Sequence, residues 1–165
     1  MKIVPYWIMG PWKGRLAILP RPRGGDWLED EVLSWQAAGV DVVVSALQED
    51  EITELDLTQE AAFCRSNGLE SIAFPIADRG VPESFMATAE LSRRLATLLG
   101  EGKNVAIHCR QGVGRSALLA ACVLIVAGVD GPDAWKRIEV ARNCPVPDTA
   151  EQKEWVTKFA PRATG

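Results

Sequence analysis

Short apolar runs alternate with amphipathic stretches along this chain, and glycine, proline and short polar residues punctuate them. Residues 16–19, 40–47, 71–76 and 104–108 are apolar runs of strand length. Between them lie stretches with helical spacing. Over residues 27–38, Leu28, Val32 and Trp35 share a face, with Asp26 placed to cap the start and Gly39 to stop the end. A second helix is predicted from a Thr58 cap to Asn67-Gly68, and a third over 83–99 with Phe85, Ala89 and Leu95-Ala96 toward the core. Three more helices, over 115–127, 132–142 and 150–159, finish the chain. This alternation predicts an α/β fold: a single domain with a mainly parallel central sheet flanked by helices on both faces. Ligands of such sheets bind beyond the carboxyl ends of the strands. Asp78 and Cys109 each follow a predicted strand, so two positions distant in sequence meet at one rim.

At 165 residues one domain is expected over 1–165, burying roughly 70% of the unfolded surface. Residues 1–25 stand apart, with four prolines, four glycines and the basic residues Lys2, Lys13, Arg15, Arg21 and Arg23 before the first acid, Asp26. This segment reads as a solvated loop packed on the domain, or as a border of an anion site that receives an acidic or phosphorylated partner. Trp7 and Trp12 within it are either core or contact surface. The net charge of −4 argues against nucleic acid and anionic membranes as partners. The longest apolar run, 117–129, has thirteen residues against the about 20 of a membrane span. Pro5, Gly10 and Pro11 interrupt any apolar leader, so no secretory signal is expected and the cytoplasm is the expected location. Cys64, Cys109, Cys122 and Cys144 show no CxxC or Cys/His spacing, so neither a metal nor a cofactor is implied.

The most specific chemistry lies in His108-Cys109-Arg110-Gln111-Gly112-Val113-Gly114-Arg115-Ser116, where an apolar strand turns into a helix. Backbone N–H groups at a helix start, with Gly112 and Gly114 relaxing the turn, make an anion cradle from residues 110–114. The same field favours a thiolate at Cys109, and Arg115 offers a planar fork for two phosphate oxygens. A nucleophile inside a phosphate cradle points to phosphoryl transfer. Other roles stay open at this level. Arg110 is solvated or contacts substrate. His108, the lone histidine, reads as a satisfied core residue bonded to nearby backbone. Ser116 is an early helix residue or a hydroxyl that stabilises the thiolate as a leaving group. Asp78 is a general acid or an Asx-turn residue. Gln152 orients a water, or closes a capping box with Thr149.

HCRQGVGRS resembles the H-C-x5-R-S/T signature of cysteine-dependent protein phosphatases. The stretches PIADRGVP, VAIHCRQGVGRSALLAACVLI and TAEQKEWV extend the likeness to the dual-specificity branch, and within it to kinase-associated phosphatase-like proteins. The resemblance implies a protein tyrosine phosphatase-like fold and hydrolysis of phosphotyrosine, and of phosphoserine or phosphothreonine, in a phosphorylated protein or peptide through a phosphocysteine intermediate. It assigns Cys109 as nucleophile, Arg115 as phosphate ligand, Asp78 as general acid, Ser116 as the post-arginine hydroxyl and Gln152 as the water-positioning glutamine. The loop lacks the extra lysine of phosphoinositide phosphatases, which turns the expectation away from lipid substrates. With Tyr6 the only tyrosine, the recognition loop of the tyrosine-specific enzymes is missing, and a shallow pocket is expected. A silent phosphate-binding module and another thiolate transfer enzyme are the alternatives.

Overall fold

The computed structural model describes residues 4–164. Five strands, β1 (Tyr6–Ile8), β2 (Leu16–Leu19), β3 (Val42–Ser45), β4 (Glu70–Ala73) and β5 (Val105–His108), form one sheet in the order β1-β2-β5-β3-β4. All neighbours run parallel except β1, which is antiparallel to β2. The period of two along each strand divides the side chains between two cores. Leu16, Ile18, Val42, Val44, Val105 and Ile107 face one core, covered by α4 (Phe85–Gly100), α5 (Arg115–Val126), α6 (Gly131–Arg142) and α7 (Ala150–Thr164). Ala17, Leu19, Val43 and Ala106 face the other, beneath α1 (Leu28–Ala37) and α3 (Glu60–Ser66). Strands buried on both faces must be apolar throughout, which is why β2, β3 and β5 read as continuous runs. The expected α/β architecture with helices on both faces is the observed one.

The differences are local and have physical causes. β1 was hidden between Pro5 and Gly10; three residues on a sheet edge leave little periodic signal. A short helix, α2 (Glu49–Glu54), was also unforeseen, and its Gln48–Glu51 capping box compensates for its length. α1 is entered through a 3-10 turn at Gly25–Trp27, so Asp26 sits inside the turn and caps nothing. α3 begins after Gln59 without a side-chain cap, so Thr58 does not cap it. Ser84, not Glu83, starts α4: its Oγ accepts from Ala87 N–H at 3.0 Å. α7 runs past Phe159 and through Pro161 to Thr164, its last turns held by buried Phe159 and Ala163. Lys2 lies outside the described residues.

Candidate active site

Residues 109–114 carry the chain from the carboxyl end of β5 into α5. Gly112 has φ +72°, a left-handed angle that a side chain disfavours, and a Cβ there would sit 3.2 Å from Ile18 Cγ2. Gly114 differs from expectation. Its φ of −99° is open to any residue, but a Cβ would meet Asp148 Cβ and Gln152 Nε2, each at 3.0 Å. One glycine is needed for conformation, the other for clearance. From α6, Arg142 holds the loop by donating from Nε to Gly112 O at 2.8 Å and from NH2 to Gln111 O at 3.4 Å. Its guanidinium lies 4.1 Å over the Tyr6 ring. Val113 packs half-buried against the core, while Gln111 is exposed.

This turn puts Cys109 Sγ, only 2% exposed, 3.3 Å from Gly112 N–H and 3.2 Å from the Ser116 hydroxyl. Burial opposes a thiolate there. The Ser116 hydroxyl and N–H, the Gly112 N–H and the Arg115 charge outweigh it, so the Cys109 pKa is lowered. Burial without such donors does the opposite elsewhere: it pushes the Cys64 thiol up to about 12 and raises Cys122 well above its ordinary value.

Arg115 is buried, and its partners explain how. NH1 and NH2 donate to the two Glu51 oxygens at 2.6 and 2.9 Å. NH1 also reaches Ile76 O at 2.9 Å, and NH2 reaches Asp78 Oδ1 at 3.2 Å. The Glu51 carboxylate is costly to bury, yet the guanidinium, the Gln48 N–H and Arg110 hold its pKa below the usual value. Glu51 belongs to the unforeseen α2. The available signal was an acidic turn directly after a strand, where side chains converge on such sites. Arg110 lines the pocket over Cys109, and its guanidinium also lies 3.5 Å from Glu54 Oε1 of the same helix.

The pocket over Cys109 has a volume of about 70 Å³ and is bordered by Asp78, Arg79, Gln111, Asp148 and Gln152. Arg79 closes part of the rim through a 3.0 Å ion pair with Asp148. Among the described residues, none of the basic N-terminal segment lines it. Asp78 stands at the mouth with its side chain 59% exposed. Gln152 is fully buried, and the capping alternative holds for its main contacts. Its Oε1 accepts from Asp148 and Thr149 N–H, each at 3.1 Å, while Thr149 Oγ1 accepts from Gln152 N–H at 3.1 Å. Its Nε2 donates to Gly80 O at 3.0 Å, tying α7 to the Asp78 loop.

On the opposite side of β5, His108 is a core residue as expected, but its strong partner is a side chain. His108 Nε2 lies 2.8 Å from Glu60 Oε2, with Nδ1 only 3.4 Å from Cys109 O. Burial disfavours the imidazolium, but Glu60 prevails and the His108 pKa is raised.

A lowered-pKa cysteine, a helix N-terminus and a buried arginine around one small pocket at the carboxyl edge of a parallel sheet fit the class of protein tyrosine and dual-specificity phosphatases. Comparison with known proteins narrows this. The chain belongs to the family described as Swiss Army Knife protein, DSP-PTPase phosphatase domain, whose sequence model matches residues 7–164. Human cyclin-dependent kinase inhibitor 3 is 38% identical over 71 residues, which is 43% of this chain and 30% of that protein. The match therefore spans less than a third of that relative's length. Among solved structures, kinase associated phosphatase with its catalytic-site cysteine changed to serine has a TM-score of 0.90. That likeness covers 100% of this chain and 98% of the other at 19% identity, and it speaks to the fold alone. Tk-PTP in its active form has a TM-score of 0.75 at 28% identity, covering 90% of this chain and 93% of the other. No helix among the described residues is long and apolar enough to cross a membrane.

Proposed function

We propose that this protein is a phosphoprotein phosphatase that hydrolyses phosphotyrosine, and phosphoserine or phosphothreonine, through a phosphocysteine intermediate. The observation that carries this reading is the Cys109 sulfur, held between the Gly112 N–H and the Ser116 hydroxyl above the anchored Arg115 guanidinium. Membership of the family and the likeness to Tk-PTP support it.

The geometry suggests how the reaction runs. Arg115 gives three of its donor contacts to Glu51 and Ile76 O, and its remaining edge meets Asp78. A phosphate monoester entering the loop competes with Asp78 for that edge, binds the guanidinium fork and the loop N–H groups, and releases the Asp78 carboxyl toward the ester oxygen. The Cys109 thiolate attacks phosphorus and forms the S–P bond. The P–O bond to the alcohol or phenol breaks, and Asp78 gives its proton to the departing oxygen. Water then attacks phosphorus while the Asp78 carboxylate takes its proton. The S–P bond breaks, inorganic phosphate leaves, and the sulfur returns to a thiolate that the Ser116 hydroxyl stabilises. Gln152 lines the same pocket, where its amide steadies the Asp78 loop through Gly80 O and lies near the incoming water.

Protein groups supply all of this chemistry, so turnover is expected to survive a chelator. Buried, free thiols fit a reducing compartment such as the cytoplasm. The test is hydrolysis of p-nitrophenyl phosphate and of a phosphotyrosine peptide with chelator present, for wild type and Cys109→Ser. Turnover that disappears in the variant is the expected result. Equal turnover in both, or none in folded wild type, overturns the reading.

A further inference from the structure

A second cleft among the described residues is far larger than the Cys109 pocket. A groove of about 610 Å³ lies between β1 and α6, on residues the phosphoryl-transfer chemistry does not use. Its apolar surface includes Trp7, Trp12, Met9 and Val140, and the last two are 80% and 74% exposed. Solvent-facing apolar residues gathered in one concave site mark an interaction surface. Four cations also line the groove. Arg15 is stacked on Trp7 at 4.0 Å, and Arg137 is bonded to Asp133 and to Met9 O. Lys13 and Lys136 are exposed and have no ion pair among the described residues. The groove is built rather than collapsed. The Trp12 ring packs on Gly10, where a Cβ would lie 2.1 Å away, and Gly14 N–H donates to Leu99 O at 2.8 Å. At its α6 end the groove reaches Ala141, one residue before the Arg142 that holds the signature loop.

We propose that the β1–α6 groove docks an acidic and apolar peptide segment of the phosphoprotein substrate, separate from the phosphorylated residue. Met9, Val140 and the tryptophans take the apolar side chains, and Lys13 and Lys136 pair with the carboxylates. Charge complementarity selects this occupant over a basic or neutral peptide, and an open groove with two exposed apolar walls suits a polypeptide better than an enclosed small molecule. The proposal rests on the phosphoprotein phosphatase reading and deepens it.

Its test uses two phosphotyrosine peptides, one joined through a flexible Gly/Ser linker to a segment alternating leucine and glutamate, the other joined to the linker alone. The expected result is a KM about tenfold lower with the segment, an effect of the size that a few rim contacts supply. The advantage disappears in Lys13→Glu/Lys136→Glu, while p-nitrophenyl phosphate turnover in that variant is unchanged. Binding of the unphosphorylated segment, read by tryptophan fluorescence, is measured in parallel. It keeps the groove testable if no phosphatase activity is found. Equal KM values for both peptides, an advantage that persists in the double variant, or fluorescence changes with laurate but not with the segment, would overturn it.

Discussion

Cys109 lies between two buried ion pairs built in opposite ways. On the pocket side, Arg115 faces the cavity over Cys109, and Glu51 holds only part of its guanidinium. On the far side of β5, the His108 ring meets Glu60, the Cys109 carbonyl and the Trp35 ring, whose centroid is 6.0 Å away, and Glu60 lines a small cavity apart from the Cys109 pocket. Each pair takes its glutamate from a short helix that follows β3, Glu51 from α2 and Glu60 from α3. Buried pairs add little net stability but are costly to break, so their use is to fix geometry. The Arg115 pair leaves an edge open and can bind an anion. The His108 pair does not line the Cys109 pocket and reaches the cysteine through the backbone and the local field. On the proposed function, the difference separates a group placed to meet substrate from one that positions the loop.

Four substitutions break or sharpen this contrast. Removing the atom both pairs flank has the largest effect: Cys109→Ser lowers kcat/KM by about 10⁴-fold or more, measured on an aryl phosphate, while phosphate binding survives. Next comes the open side. Asp78→Asn costs about 10²-fold or more on a phosphoserine peptide and far less on p-nitrophenyl phosphate, whose leaving group needs no proton. Equal losses on both would remove Asp78 as the acid. Glu51→Gln frees Arg115 from its bidentate anchor, with a loss of about 10²-fold in kcat/KM and about 3 kcal/mol in stability by denaturant titration.

The smallest effect falls on the closed side. Glu60→Gln leaves kcat within about tenfold, but it removes the carboxylate that raises the His108 pKa and so favours the imidazolium beside Cys109. The acid limb of kcat/KM therefore moves to higher pH. Stability carries a second signature. The folded-state pKa of His108 is raised, so the pair's stabilisation is complete below about 6.5, the ordinary imidazole value, and is lost as pH rises through the folded value. In Glu60→Gln that pH-dependent part of the unfolding free energy flattens. A wild-type-like slope in the variant would show that the pair does not titrate as described.

These two glutamates also show where the sequence stops being informative. Cys109, Gly112, Gly114, Arg115 and Ser116 sit in one nonapeptide, so strand, turn and helix signals reinforce one another there, and the anion cradle is legible without a structure. Asp78 was legible more weakly: its place after a strand left an Asx-turn role open, and the family resemblance carried its assignment as the acid. Glu51 and Glu60 lie 64 and 48 residues from their partners. Nothing local distinguishes a carboxylate that will be buried against an arginine from one that stays in water. The parallel core strands were clear because burial on both faces makes them uniformly apolar. The edge strand β1 and the six-residue α2 were not, since each is too short to show a period and is fixed by contacts made elsewhere in the chain.

The most direct test of the central claim is a rapid acid quench of wild-type enzyme with a phosphotyrosine peptide, followed by mass spectrometry of the Cys109-containing fragment. The account predicts a phosphoryl group on Cys109 that forms within one turnover, decays as phosphate appears, and accumulates when Asp78 is changed to Asn and an aryl phosphate is supplied. Turnover with no phosphoryl group on that cysteine at any quench time would contradict it and would place the attacking oxygen on water instead.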